Sequence, residues 1–287
     1  MRPDLPPGTP VVCTDLDRTV IYSAGALHLS GPDADAPRLL CVELHRGAPL
    51  SYLTEAAAAT WRRLCDVTVL VPTTTRTPEQ LARVRLPGPS PRYAIAANGG
   101  VLMVDGVPDP DWAATVRDRL AGCTPLREVV ARMEQCDGEF VLKRRTAAGQ
   151  FVYAVVDREA LPSGWVDDLA AWCSPRGWQV SVQGRKVYAV PGPLTKSAAA
   201  REVARRCGDG PMLAAGDSLL DADLLSHADA AIRPAHGELA DTGFHLDRLA
   251  VTTSVGVMAG EEVLTWLLDR AAAEVSASGR LSSTRPT

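Results

Sequence analysis

The sequence predicts an α/β chain: a doubly wound parallel sheet with a smaller α+β module inserted into it. Three observations carry this. Short β-like runs alternate with helical runs at both ends of the chain, the pattern of a parallel sheet with helices on its faces. Between about residues 103 and 190 the order becomes helix, hairpin, helix, hairpin. The strand-like runs on either side of that interruption end in polar residues, where open α/β sheets bind ligands.

In chain order, "PVVCTD" reads as a strand, "TEAAAATWRRLC" as a helix and "DVTVLVPTTT" as a strand. "TPEQLARVR" reads as a helix opening on Thr77 and Pro78, and "YAIAAN" as a third strand. The long segment from 23 to 55 reads as a loop plus a hairpin turning near Gly47. The insert reads as a helix near 125–135, strands "EFVLKRR" and "FVYAVVD", a helix near 162–174, and strands "WQVSV" and "KVYAV". Beyond "PGP" the βα alternation resumes with "TKSAAAREVARRC", "PMLAAGD", "LLDADLLSHA" and "AAIR". The division expected is a core of 1–102 plus 191–271, an insert of 103–190, and a polar, structureless tail of 272–287.

Composition narrows the function. With 46% hydrophobic and 22% charged residues the chain suits a globular fold, and a net charge of -4 offers no basic field for a nucleic acid polymer. No run approaches a membrane span and no signal peptide is apparent, so a cytoplasmic protein is expected. The seven cysteines (Cys13, Cys41, Cys65, Cys123, Cys136, Cys173 and Cys207) lack CxxC spacing and read as reduced, mostly buried thiols.

The strand ends hold the chemistry. The first strand ends in Asp15 and Asp17; the second in Thr73, Thr74, Thr75 and Arg76; the third in Asn98, Gly99 and Gly100; and "MLAAGD" in Asp217, with Asp221 four residues on. Each signal is weak alone, and each has a plain structural alternative: a loop cap, a helix N-cap, a turn residue or a surface acid. Their shared edge gives them weight. Other motifs fail on spacing. "GPLTKS" lacks the glycines of a phosphate loop, "GDGPML" lacks the third glycine of a dinucleotide fingerprint, and neither HExxH nor G-x-S-x-G occurs.

These residues resemble the haloacid dehalogenase (HAD) superfamily, and within it the Cof-like and sucrose-phosphatase-like members with a type C2 cap. "DLDRT" looks like the first motif, "VLVPTTTR" the second, "TK" at 195 and 196 the third, and "GDSLLD" the fourth. The resemblance spans about residues 11 to 270, and the insert corresponds to the cap. It implies a Mg²⁺-dependent phosphatase of a small phosphorylated metabolite, with a sugar, polyol or nucleotide monophosphate as substrate. A phosphomutase or a non-catalytic regulator that binds such a metabolite is the alternative.

In that reading Asp15 is the nucleophile that forms an aspartyl-phosphate, and Asp17 is the acid and then the base. Lys196 offsets charge. Mg²⁺ is held by the Asp15 carboxylate, the Asp17 backbone carbonyl and Asp217, with Asp221 in or just behind that shell. Thr74 contacts the phosphoryl group because "TTR" best overlays the family's "TGR", with Thr73 or Thr75 as alternatives, and Arg76 and Asn98 complete the phosphate and substrate contacts. The chain departs from the family at Arg18, where many relatives carry glycine. The insert's hairpins carry Lys143, Arg144, Arg145, Arg185 and Lys186, which either meet the substrate's leaving group or solubilise strand edges.

Overall fold

The computed structural model describes residues 5–135 and 138–282. The chain opens with β1 (Val11–Thr14), then a hairpin of β2 (Leu39–His45) and β3 (Ala48–Thr54), helix α1 (Glu55–Val67) and β4 (Val69–Pro72). One helical turn, α2 (Pro78–Leu81), leads to β5 (Tyr93–Ala96), β6 (Val101–Val104), β7 (Val107–Pro108) and α3 (Pro110–Leu120). The insert follows as α4 (Leu126–Gln135), β8 (Val141–Ala147), β9 (Phe151–Val156), α5 (Trp165–Cys173), β10 (Trp178–Gln183) and β11 (Lys186–Pro191). The chain then returns through α6 (Lys196–Arg206), β12 (Met212–Ala215), α7 (Leu219–His227) and β13 (Ala230–Arg233). It closes with α8 (Glu238–Asp241), β14 (Leu249–Val251) and α9 (Gly256–Ser282).

The central sheet is parallel, ordered β14-β13-β12-β1-β4. Strand β5 extends it beside β4, where Thr73 pairs with Ile95 and the Thr74 N–H donates to the Ile95 carbonyl at 2.8 Å. All four residues of β1 are buried, as a strand covered on both faces requires. Helix α1 starts where the Thr54 side chain accepts from the Ala57 N–H, and it buries Ala57, Ala58, Trp61 and Leu64 at helical spacing. That stripe shares an apolar cluster with Val263, Leu264, Leu267 and Leu268 of α9.

The second sheet is antiparallel, ordered β10-β11-β9-β8. Its Val152, Ala154, Val156, Val187 and Ala189 lie in one apolar cluster with Val129 and Met133 of α4 and Leu169 and Cys173 of α5. The opposite face meets the core. Gln183 donates to the Ser218 hydroxyl at 2.7 Å, and Glu238 accepts from the Ser181 hydroxyl and the Val182 and Leu219 N–H groups, each at 2.9 Å.

Several expectations change. The helix over 77–85 shrinks to one turn, which a Thr77–Gln80 capping box starts but no apolar stripe sustains. Helix α3 was not foreseen, although Asp109 caps it and Pro110 stands at its first position. It packs on the core, with the Trp112 indole donating to the Gly99 carbonyl and Arg206 paired with Asp109. Residues 272–282 continue α9 instead of forming a tail, because a helix nucleated on apolar packing extends readily through alanine and glutamate. Residues 283–287 of that expected tail lie outside the described residues, as does Cys136. The other six cysteines are free thiols as expected, but only Cys13 and Cys173 are buried; Cys41 on β2 is exposed, and Cys65, Cys123 and Cys207 are half-buried. No described helix is long and apolar enough to cross a membrane.

Glu238 is the polar tie between the layers. Replacing it with alanine strands two N–H groups and lowers the unfolding free energy by about 2–3 kcal/mol, while glutamine loses less because it still accepts. Urea denaturation reads this directly; an alanine variant within about 0.5 kcal/mol of the parent contradicts the assignment.

Candidate active site

The carboxyl end of β1 lies at the centre of the parallel sheet, between β4 and β12, and there the chain leaves the sheet plane in three places. Thr14 pairs with Pro72 and Ala215, so Asp15 emerges flanked by the threonine run on one side and by Gly216 and Asp217 on the other. The Asp15 N–H donates to the Ala215 carbonyl at 2.9 Å. Lys196, the first residue of α6, is fully buried, and its Nζ donates to Asp15 Oδ1 at 2.6 Å and Asp221 Oδ1 at 2.5 Å.

Local backbone fixes that lysine. Gly99 has φ +91°, and a Cβ there would lie 2.1 Å from the Thr195 carbonyl, so only glycine lets the loop after β5 close on the start of α6. Asn98 donates its amide to the Leu194 carbonyl at 2.8 Å in the same place. Thr195 then caps α6.

Carboxylate oxygens of Asp15, Asp217 and Asp221 lie within 4.8 Å of one another, all three residues buried. Burial, and then the charges of Asp221 and Asp17, push the Asp15 carboxyl up to about 7 against the pull of Lys196. Burial, and then the charges of Asp15 and Asp221, hold Asp217 well above the carboxylate range. Burial alone would strip the Lys196 proton, but Asp15 and Asp221 outweigh it and keep the ammonium charged.

No family model matches the sequence, and no curated protein matches it. Solved structures match the architecture. A sucrose-phosphatase from Synechocystis sp. PCC6803, in complex with sucrose and phosphate, superposes with a TM-score of 0.61 at 16% identity, over 91% of this chain and 98% of its own. A Thermoplasma acidophilum protein follows at 0.57 and 12% identity, over 91% and 97%. A sugar phosphatase of HAD subclass IIB superposes at 0.55 and 12% identity, over 91% and 98%. The chain has the HAD fold. At these identities the likeness is one of architecture, a parallel-sheet core with an inserted antiparallel cap.

Within the HAD core, the donor set suits a hard divalent cation. Lys196 takes one oxygen each of Asp15 and Asp221, and the other Asp221 oxygen accepts from the Ser218 N–H at 3.0 Å and hydroxyl at 2.7 Å. Asp15 Oδ2 and the Asp217 carboxylate remain to ligate, with no nitrogen or sulfur donor in the cluster. Asp221 therefore sits behind the donors, where it orients Lys196 and caps α7.

The other foreseen residues divide. Arg76 does not face the phosphate position: its Nε and one terminal nitrogen bond both oxygens of Asp17 at 2.7 Å, and its other terminal nitrogen bonds Glu43 at 2.8 Å. A guanidinium fork prefers a carboxylate pair of matching geometry, and Asp17 supplies it. Burial opposes the Asp17 charge, but the bonds and charge of Arg76 outweigh it and hold this carboxyl below its usual range. Asn98 is buried and donates its amide to the Leu194 carbonyl, while its Oδ1 accepts no hydrogen bond. Thr74 is buried with its hydroxyl accepting from the Arg76 N–H at 3.1 Å, Thr73 donates to the Val71 carbonyl, and Thr75 stands in polar contact with Tyr188 of the cap.

Two contributors escaped the sequence. Glu43, fully buried on β2, accepts from Arg76, Arg83 and Ser51, tying the hairpin to Asp17. A lone acid inside "LLCVELH" was the available signal. Glu238 is the second. Arg18, the departure seen in the sequence, keeps a glycine-like φ of +65°, and its Nε lies 3.4 Å from Asp217 Oδ2.

Three outcomes follow, with Mg²⁺ as the probe for a hard divalent cation. An acid whose folded pKa is raised costs stability once pH exceeds its unfolded value, and the cost grows up to the folded value. Asp217→Asn therefore raises the melting temperature without metal at pH 7–8 and abolishes the further rise on adding Mg²⁺. Because ligation displaces protons from these acids, Mg²⁺ affinity of the parent weakens as pH falls from about 7 toward 5, read by titration calorimetry. A pH-independent affinity contradicts the assignment. Arg18→Gly removes both the strained backbone and the competing cation, so it tightens Mg²⁺ binding severalfold in the same assay.

Proposed function

We propose that the chain is a Mg²⁺-dependent phosphatase that hydrolyses a small phosphorylated metabolite through an aspartyl-phosphate on Asp15. The observation that carries this is the buried Lys196 ammonium bonded to Asp15 at the carboxyl end of β1, with Asp217 and Asp221 beside it. The sucrose- and sugar-phosphatase neighbours support the reading through their shared architecture.

Two like-charged partners, a carboxylate and a phosphate monoester, must be brought together, and the site supplies the cations for it. Asp15 attacks phosphorus while Lys196 stays bonded to its carboxylate, so the ammonium both fixes the carboxylate and offsets charge on the transferring group. The bond to the leaving oxygen breaks, and Asp17 delivers its proton there. Asp17 then takes a proton from the water that attacks the aspartyl-phosphate, which frees inorganic phosphate and restores Asp15. Mg²⁺ held by Asp15 and Asp217, with the Asp17 carbonyl, would neutralise phosphate charge. The Thr74 hydroxyl supports the phosphoryl oxygens.

Arg76 gives Asp17 its orientation. It also favours the charged form, which matches the base half of the cycle, and the acid half requires one of its bonds to loosen. The free thiols suit a reducing compartment, the cytoplasm.

Asp15→Asn keeps the fold and loses at least about a thousandfold in phosphate release, because an amide cannot form the acyl phosphate. A variant retaining more than about a tenth of parental activity, with unchanged circular dichroism, removes Asp15 from the mechanism.

A further inference from the structure

The cap sheet sorts its cations by face. Alternate residues of a strand point the same way, and strand pairing carries that alignment across the sheet. Lys186 pairs with Val155 and Tyr188 with Tyr153, while Lys143 and Arg145 of β8 pair with the same two β9 residues. Lys143, Arg145, Tyr153, Lys186 and Tyr188 thus share one face. Arg144 lies on the other, where it pairs with Glu134 of α4 at 3.0 Å.

The shared face looks at the nucleophile. Ser181 and Gln183, paired with Tyr188 and Lys186, are the residues that bond Glu238 and Ser218 of the core. Tyr188 meets Thr75, next to Thr74, and the charges of Lys186 and Asp17 act on each other. The Lys186 ammonium lies 5.7 Å from the centre of the Tyr153 ring. Two of the three lysines of the chain, Lys143 and Lys186, therefore lie on the cap face turned toward the core strand ends, where the third, Lys196, is buried.

What this face lacks is as informative. Its strands present no carboxylate there, and among the described residues Lys143, Arg145 and Lys186 enter no ion pair. Ser181 and Gln183 each spend a donor on the core. In the phosphatase reading Lys196 and a divalent ion would serve the transferring phosphoryl group, so three more cations exceed the need of one phosphate.

We propose that the cleft takes a phosphate monoester whose leaving group carries a second anion, a carboxylate or another phosphate, received by Lys186, Arg145 and Lys143. This rests on the phosphatase reading. Lys186 stands nearest Asp17, and Lys143 lies two strand spacings across the sheet, roughly 10 Å further. The second anion therefore sits a few bonds from the scissile phosphate in a small metabolite.

The test compares 3-phosphoglycerate, fructose 1,6-bisphosphate and glucose 6-phosphate, with p-nitrophenyl phosphate as the generic probe. The kcat/KM for a doubly anionic substrate exceeds that for glucose 6-phosphate by at least about tenfold, and the ratio collapses toward one in the Lys186→Gln, Arg145→Gln double variant. Arg144→Gln, on the opposite face, keeps the ratio. The two anionic substrates distinguish carboxylate from phosphate. A preference for glucose 6-phosphate, or a ratio that survives the double variant, overturns the proposal. Absence of turnover on every probe, the aryl phosphate included, counts against the phosphatase reading itself. Calorimetric titration of Asp15→Asn with the same compounds then still decides the charge preference: tighter binding of the doubly anionic compounds sustains it, and equal binding overturns it.

Discussion

A single ammonium, buried between two carboxylates, organises this molecule. Lys196 stands at the first position of α6, where the helix macrodipole disfavours a cation, and it has no solvent to share its charge with. Only Asp15 and Asp221 keep it protonated there. Removing either acid leaves an unbalanced buried charge, which typically costs several kcal/mol. The loop from Asn98 to Gly99, the Leu194 carbonyl and the Thr195 cap all deliver the start of α6 to β1. The parallel sheet in turn fixes the three strand ends on which the acids stand.

The same economy of charge explains the second carboxylate. Asp15 is raised by burial and acidic neighbours, whereas Asp17, two residues on, is lowered by Arg76. Environments that push neighbouring acids apart give them different protonation preferences, and the lowered Asp17 suits the base half of the proposed cycle. The split reaches beyond the strand ends, because Arg76 is itself held by Glu43 from the β2–β3 hairpin. A segment between the first strand and its helix thereby bears on the protonation of Asp17.

The acids and the lysine were legible because strand ends in an α/β sheet share an edge by topology alone, so order along the chain places them without knowledge of packing. Pairing across that edge was not legible. Arg76 follows the threonine run in sequence and seems aimed at phosphate, yet its partner is 59 residues away on another loop. Glu43 needed the hairpin's register, and Glu238 needed the docking of one sheet on another, neither of which a local pattern carries. Asn98 shows a related ambiguity: a polar residue at a strand end can serve the backbone of a neighbouring loop as readily as a ligand. Helix α3, by contrast, had its cap and proline in plain view.

The account turns on Asp15 forming a covalent bond to phosphorus while Lys196 holds its carboxylate. The direct measurement is to quench turnover with acid, reduce the trapped acyl phosphate with borohydride, and sequence the peptide containing the first strand end by mass spectrometry. The account predicts homoserine in place of Asp15 and an intact Asp17. Homoserine at another acid, or rapid turnover with no reduced residue in the chain, contradicts it.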